Sequence, residues 1–364
     1  MGFRQSPLES LVNEMDLSFY QGKRVFVTGH TGFKGSWLSR ILLHAGAVVA
    51  GYSLPPETDP NLFSFAELDE MRHYFYDIRD FRTLSDAMME FQPEIVLHLA
   101  AQPIVRIGYR NPVETYEVNV LGTVNLLESV RKVASVRSVV NVTTDKVYLN
   151  SEWIWGYRES DPLDGFDPYS NSKSCSELVT HCYRRSFLEE ESVAVSTARA
   201  GNVIGGGDFA PDRIIPDCVR AALSNQAIVV RNPHSTRPYQ HVLEPVMAYL
   251  MIAERQYKDA SLAGSYNIGP DDQDCVTTGD LVRLFCETWG EGARWEARPD
   301  NGPHEANFLK LDCSKAKQTF GWKPVWHIDR AVAETVAWTK AWKAGASVAD
   351  AMHQQMETYL KEST

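Results

Sequence analysis

The sequence predicts an α/β fold: an open parallel sheet with helices on both faces, followed by a smaller mixed α/β unit. Three observations point there. First, Gly29, Gly32 and Gly35 join a short apolar run, Val25 to Val27, to a helical pattern that begins at Ser36. Second, strand-like and helix-like segments alternate through the first 200 or so residues, as parallel βαβ units require. Third, 364 residues of which 44% are apolar can bury one large core or two smaller ones.

Strand, glycine turn and helix are the setting of a dinucleotide-binding fingerprint. Gly29 allows the tight turn, Gly32 lets the backbone approach a diphosphate, and Gly35 lets the helix pack closely on the strand. The helix N-terminus adds unpaired N–H groups and a partial positive charge. The spacing is G-x-x-G-x-x-G, with Thr31, Phe33 and Lys34 inside it. The sheet is therefore expected to be a Rossmann-type doubly wound one. Residues 1–20 form an N-terminal extension, 21–200 the dinucleotide domain, completed by about 239–270, and 201–364 mainly a C-terminal substrate domain.

The net charge of −11 argues against non-specific nucleic-acid binding. No run of about eighteen uncharged apolar residues suggests a membrane span. The N-terminus lacks the basic start and apolar run of a signal peptide, so a cytoplasmic location is expected. Six cysteines are scattered without a C-x-x-C pair, which predicts reduced thiols and no metal.

Residues 1–20 carry no chemistry, although Leu8, Leu11, Met15 and Leu17 could line a short helix. Ala47 to Tyr52 reads as the second strand. An acidic residue commonly follows it to hold the ribose of NAD; here Ser53, Leu54, Pro55 and Pro56 follow instead. An NADP site would want an arginine, and none comes before Arg72, so NAD is favoured. Lys34 puts a further cation near the phosphates. Arg72 to Asp77 is a short strand, Phe81 to Phe91 a helix and Ile95 to Leu99 a strand, followed by Ala100, Ala101 and Gln102. The small pair lets the backbone pass close to a cofactor, and serves packing equally well. Pro112 to Val133 reads as one long helix containing Asn119. Ser138 to Thr143 is a strand with Thr143, Thr144, Asp145 and Lys146 at its carboxyl end, the edge where open parallel sheets collect chemistry. Val193 to Arg199 is the next strand. A loop follows through Asn202, Gly205 to Gly207, Asp208 and Phe209, then a helix from about Asp217. Ser265 to Ile268 is a strand, and 278–290 a helix capped by Thr278. The segments 295–298 and 304–311 are strand or loop. A short helix, 314–320, stops at Gly321, and helices over 328–343 and 348–360 close the chain.

Tyr169 and Lys173 are four apart and share one helix face. A free phenol titrates near pH ~10, and an ammonium one turn away is expected to lower that value. Tyr169 can then take a proton from a sugar hydroxyl as hydride leaves for a nicotinamide. Arg213, Arg237 and Arg298, spread through an acidic chain, suit a bidentate grip on a diphosphate.

The motifs T-G-H-T-G-F-K-G, T-T-D-K-V-Y, Y-S-N-S-K and R-A-G-N-V-I-G-G-G-D-F resemble the extended short-chain dehydrogenase/reductase family. Within it they are similar to the bacterial nucleotide-sugar 4,6-dehydratases that act on CDP-glucose. The resemblance runs from about Gly22 to Pro324. Relatives acting on dTDP-glucose commonly carry T-D-E where this chain has Thr144-Asp145-Lys146, and that departure points to the cytidine branch.

What the resemblance implies is an NAD-dependent dehydration toward deoxysugars of the O-antigen type. C4 is oxidised, water leaves C5 and C6, and hydride returns to C6. Tyr169 is then the base with Lys173 as its partner, Thr144 the hydrogen-bond partner of the C4 oxygen, and Asp145 the acid for the C6 hydroxyl. Lys146 is either a neutral C5 base or a charged stabiliser of an enolate. NAD contacts are expected from Gly29, Thr31, Gly32, Phe33, Lys34, Gly35, Asp77, Ile78, Leu99, Ala100, Ala101, Gln102, Thr143, Tyr169 and Lys173, with Asn119 supporting the cofactor loop. Substrate contacts are expected from Gln102, Asn202, Asp208, Arg213, Ile215, Arg237, Asn267, Arg298 and His304. A homodimer through the helices near 113–133 and 169–188 is implied as well.

A nucleotide-sugar 4-epimerase shares the fold, cofactor and Tyr–Lys pair but needs no acid–base pair for elimination, so Asp145-Lys146 argues for dehydration. A redox-sensing binding protein on the same scaffold can lack a working Tyr–Lys pair; this chain has one.

Overall fold

Alternation along the strands builds the first two layers. Val25, Val27, Ile95, Leu97, Val140 and Val142 face one apolar cluster, while their neighbours Phe26, Val96 and Val139 face another. This is the period-two pattern of a sheet buried on both faces. The computed structural model describes residues 16–298 and 307–363. In chain order, β1 (Arg24–Thr28), α1 (Phe33–His44), β2 (Val48–Tyr52), β3 (Arg72–Tyr74), α2 (Phe81–Phe91) and β4 (Ile95–His98) come first. Then follow α3 (Val105–Arg110), α4 (Pro112–Tyr116), α5 (Gly122–Val130), β5 (Ser138–Val142), α6 (Pro168–Tyr183) and β6 (Ala194–Ala200). Next are β7 (Val203–Ile204), α7 (Ile214–Leu223), β8 (Ile228–Val230), β9 (Thr236–Pro238), β10 (Gln240–His241), α8 (Leu243–Lys258) and β11 (Ser265–Ile268). The chain closes with β12 (Cys275–Thr277), α9 (Thr278–Trp289), β13 (Trp295–Ala297), α10 (Ser314–Phe320), α11 (Ile328–Lys343) and α12 (Val348–Glu362).

The main sheet has seven strands in the order β11-β6-β5-β4-β1-β2-β3, all parallel. It is the doubly wound Rossmann sheet expected, and its last strand and the helix α8 come from beyond residue 200. α1, α8 and α12 cover one face; α2, α5 and part of α6 cover the other. A third cluster, built on Ile215, Cys218, Leu281, Phe285, Val332 and Val336, forms the core of the smaller unit, and α11 bridges it to the sheet through Trp338.

Several boundaries differ from expectation. The long helix over 112–133 is broken by a π turn at Glu117–Leu121, where the Gly122 N–H reaches back to Glu117 O. α7 begins at Ile214 rather than near Asp217, because Pro216 falls in the first turn, where no N–H partner is lost. Thr277, not Thr278, caps α9: its hydroxyl accepts from Asp280 N at 3.1 Å, and the Thr278 hydroxyl meets that of Ser235 instead. β3 stops at Tyr74, short of Asp77. α8 is an element the periodicity did not announce. It is apolar on nearly every side, so no stripe marks it.

Candidate active site

Thr28 ends β1, and its hydroxyl accepts the Leu99 and Ala100 N–H groups at 3.2 Å each. This draws the loop after β4 across the glycine turn. Gly29 sits at φ +76°, and a Cβ there would lie 2.7 Å from Ala100 N. A Cβ on Gly35 would lie 2.0 Å from Gly29 O. Both positions are closed to side chains by backbone, and Gly29 also by its left-handed φ. Gly32 is different: a Cβ there would meet only Gly29 O, at 3.4 Å, so the space above the turn is open. Thr31 binds across to β2, donating to Leu54 O at 2.9 Å and sharing a hydrogen bond with Ser53 Oγ at 2.8 Å.

The loop after β4 is held from the far side. Asn119 Oδ1 accepts Gln102 N at 2.8 Å, and its Nδ2 donates to Gln102 O at 3.1 Å and to Ser172 Oγ at 2.9 Å. Asn119 is buried because the π turn rotates it inward, and it ties the loop to α6. The Gln102 side chain is spent on the same job, donating to Thr115 Oγ1 at 2.9 Å and accepting Ile104 N at 2.6 Å.

At the end of β5, Thr143 to Lys146 enter the crevice. The Lys146 ammonium donates to Asp145 Oδ1 at 2.9 Å and to Asn202 Oδ1 at 3.0 Å. The Thr144 hydroxyl donates to the same Asp145 oxygen at 3.0 Å. Asp145 is fully buried, and its Oδ2 has no hydrogen-bond partner among the described residues. Gly201 packs close beside it: a Cβ there would stand 3.3 Å from that oxygen and 2.7 Å from Pro238 Cγ. Tyr169, on the first turn of α6, is placed by the Asp167 cap, which accepts Tyr169 N at 3.0 Å and Ser170 N at 3.1 Å. Its phenol lies near Thr144, and the Asp145 and Arg213 charges act on it.

The electrostatics correct one expectation. Burial pushes the Tyr169 phenol up to about 12, against the lowering by Thr144, and Lys173 does not offset it. The reason is where Lys173 points: its ammonium donates to Val142 O at 3.1 Å, and burial holds it down to about 8 while Glu177 acts the other way. Lys34 also turns into this crevice. Burial pushes it down to about 7, with Arg213, Lys173 and Lys146 lowering it further and Asp145 raising it.

The other expected residues divide. Asp208 Oδ2 pairs with Arg213 at 3.0 Å, and this carboxylate holds the guanidinium pKa above its ordinary value. Arg237 is buried in β9 and donates to Thr236 O at 3.0 Å. Ile215 is core of the smaller unit, and Phe209 packs on Trp338 and Trp342. Asn267 is a correction. It is fully buried and its amide is consumed: Oδ1 accepts the Tyr148 hydroxyl at 2.6 Å, and Nδ2 donates to Tyr157 O at 2.7 Å and Asp312 O at 3.0 Å. Arg298 is largely exposed and paired with Glu296. Asp77 is forked by Arg79, and Ile78 packs against Gly122. His304 lies outside the described residues.

A pair that sequence reasoning missed lies beneath the site. Glu177 accepts Thr143 Oγ1 at 2.5 Å, Thr197 Oγ1 at 2.7 Å and Arg199 Nη2 at 2.8 Å, and Arg199 reaches Tyr148 at 2.9 Å. Glu177 stands two turns beyond Tyr169 on the buried stripe of α6; a charge at that place was the available signal.

Comparison with known proteins fits this geometry. The sequence model of GDP-mannose 4,6 dehydratase matches residues 26–335. The chain belongs to that dehydratase family. A curated relative, the CDP-glucose 4,6-dehydratase of Salmonella typhimurium, is 48% identical over 357 residues, 96% of this chain and 99% of its own. A probable dTDP-glucose 4,6-dehydratase of Sinorhizobium fredii is 27% identical, over 86% of this chain and 92% of that one. Among solved structures, the dTDP-glucose 4,6-dehydratase of Streptomyces venezuelae, determined with NAD bound, superposes with a TM-score of 0.76 at 24% identity, covering 89% of this chain and 98% of that one. That likeness shows the shared fold.

Proposed function

We propose that this enzyme is an NAD-dependent CDP-glucose 4,6-dehydratase that forms CDP-4-keto-6-deoxy-glucose. The observation that carries the reading is the buried Asp145 carboxylate, one oxygen held by Lys146 and Thr144 and the other unpartnered, beside the Tyr169 phenol. Hydride exchange with C4 alone, as in an epimerase, has no use for that second acid. The 48% identity to the Salmonella CDP-glucose enzyme supports the cytidine substrate.

The glycine turn fits NAD. Open space above Gly32, the free N–H groups at the start of α1 and closed positions at Gly29 and Gly35 make a diphosphate cradle. Bound there, NAD supplies the hydride acceptor at C4 and the donor at C6. Tyr169 takes the C4 hydroxyl proton, and Thr144 holds the same oxygen. Arg213 acts toward the phenolate, though burial outweighs it in the ligand-free crevice, and Lys173 lies one turn along the helix. Asp145 Oδ2 takes up the C5 proton and then delivers it to the departing C6 hydroxyl. Lys146, donating to two oxygens, acts as a cation that stabilises the enolate formed as the C5 proton leaves. Arg213, set by Asp208, faces the substrate diphosphate.

The homodimer belongs to the same reading. Val113 and Leu121 on the 112–130 segment and Leu178 on α6 are 71%, 54% and 56% exposed, an apolar face on two adjacent helices. A cytoplasmic enzyme accords with six free cysteines and with no described helix long and apolar enough to cross a membrane. The test is a turnover panel of CDP-, UDP-, dTDP- and GDP-linked glucose read by mass spectrometry. Loss of one water from the CDP sugar at the highest kcat/KM is expected; preference for another base by tenfold or more removes the cytidine assignment.

A further inference from the structure

Far along α1 from the glycine turn, three metal-binding side chains converge. His44 is the last residue of α1, and His353 and Glu357 stand four apart on α12, which puts them on one helix face. One donor atom from each lies within 4.8 Å of the other two. His44 Nε2 and Glu357 Oε1 are 3.4 Å apart, and the two imidazoles have centroids 4.8 Å apart at 57°. Bonds of about 2.0–2.1 Å at the tetrahedral angle put neighbouring donors about 3.4 Å apart. One edge of such a tetrahedron is therefore already formed, and the His353 donor lies within 4.8 Å of both its ends.

The surroundings suit a cation. The C-terminal end of α1 carries a partial negative charge. Arg40, the neighbouring cation, is drawn off to Glu67, donating to its backbone oxygen at 3.2 Å.

We propose that His44, His353 and Glu357 bind Zn2+ with water as the fourth ligand, tying the end of α1 to α12. Two imidazoles and one carboxylate suit zinc, not the harder calcium or magnesium. The ion braces a helix that already leans on the sheet layer, since Tyr359 of α12 donates to Glu244 of α8 at 2.8 Å.

The test uses the full chain stripped with a chelator. Zn2+ alone is titrated calorimetrically, Co2+ is followed by its visible spectrum, and thermal unfolding is recorded with and without Zn2+. One saturating equivalent, the intense visible bands of four-coordinate Co2+ and a rise in Tm of a few degrees are expected. His353→Ala and His44→Gln each abolish all three, while CDP-sugar turnover of both variants is unchanged. Glu357→Gln, isosteric and safe for the fold, weakens binding and shrinks the shift. Absence of saturable binding, or an equal Tm rise in the parent and both histidine variants, overturns the proposal.

Discussion

Lys146 holds one oxygen of Asp145 at 2.9 Å and leaves the other, buried, without a partner. The pair divides the labour of elimination. One oxygen anchors the carboxylate, and the other is free to take the C5 proton and hand it on to the leaving hydroxyl. Asp145→Asn removes that proton donor but keeps the shape. Turnover should fall by about 10²–10⁴-fold, the usual worth of a placed acid or base. The first half-reaction should survive, so reduced cofactor accumulates and is seen by its absorbance. A variant that is slow yet never builds up reduced cofactor would assign Asp145 to the oxidation step instead.

Lys146→Met deletes the cation and keeps the stem. Loss of deuterium from C5-labelled substrate should slow together with turnover, since the enolate loses its counter-charge. Full turnover with unaltered deuterium loss would remove Lys146 from the chemistry.

Lys34 sits among Arg213, Lys173 and Lys146 and is held at about 7 by burial first. A lysine whose folded pKa lies below its unfolded value near ~10.4 costs stability fully below the folded pKa and regains it as pH rises between the two. Lys34→Met should therefore be more stable than the parent in the ligand-free state near neutral pH. Its advantage should shrink steadily from about pH 7 to about pH 10, in urea unfolding at several pH values. A gap that is constant with pH would show that Lys34 is solvated in solution.

The Glu177–Arg199 pair is 2% and 3% exposed on its two side chains. Glu177→Gln leaves the guanidinium buried without its counter-charge, which costs about 3–5 kcal/mol. Denaturant titration checks this; a loss under about 1 kcal/mol would mean that water already reaches the pair.

Local pattern carried much of this site. The glycine turn, the Tyr169–Lys173 spacing and the strand-end run Thr143 to Lys146 are contiguous, so their geometry follows from the strand and helix that hold them. Asn119 holds the loop at Gln102, and the π turn, which no sequence pattern marks, is where that mid-helix amide sits. Contacts between distant segments were not legible. Asn267 and Ile215 look like ligand contacts by motif, yet neighbours from elsewhere in the chain consume one and the smaller core absorbs the other. The Tyr169 phenol was misjudged for the same reason: helix spacing gives the distance along the helix to Lys173, not the direction in which its ammonium leans. α8 escaped because a helix buried all round shows no stripe.

The central claim is that one crevice moves hydride from C4 to C6 of the same hexose while water leaves. CDP-glucose carrying deuterium at C4, incubated with the enzyme and NAD, tests it directly. The predicted product has lost one water and carries the deuterium at C6, with no net reduced cofactor. Deuterium retained at C4, or returned there in an epimer that has lost no water, would contradict it.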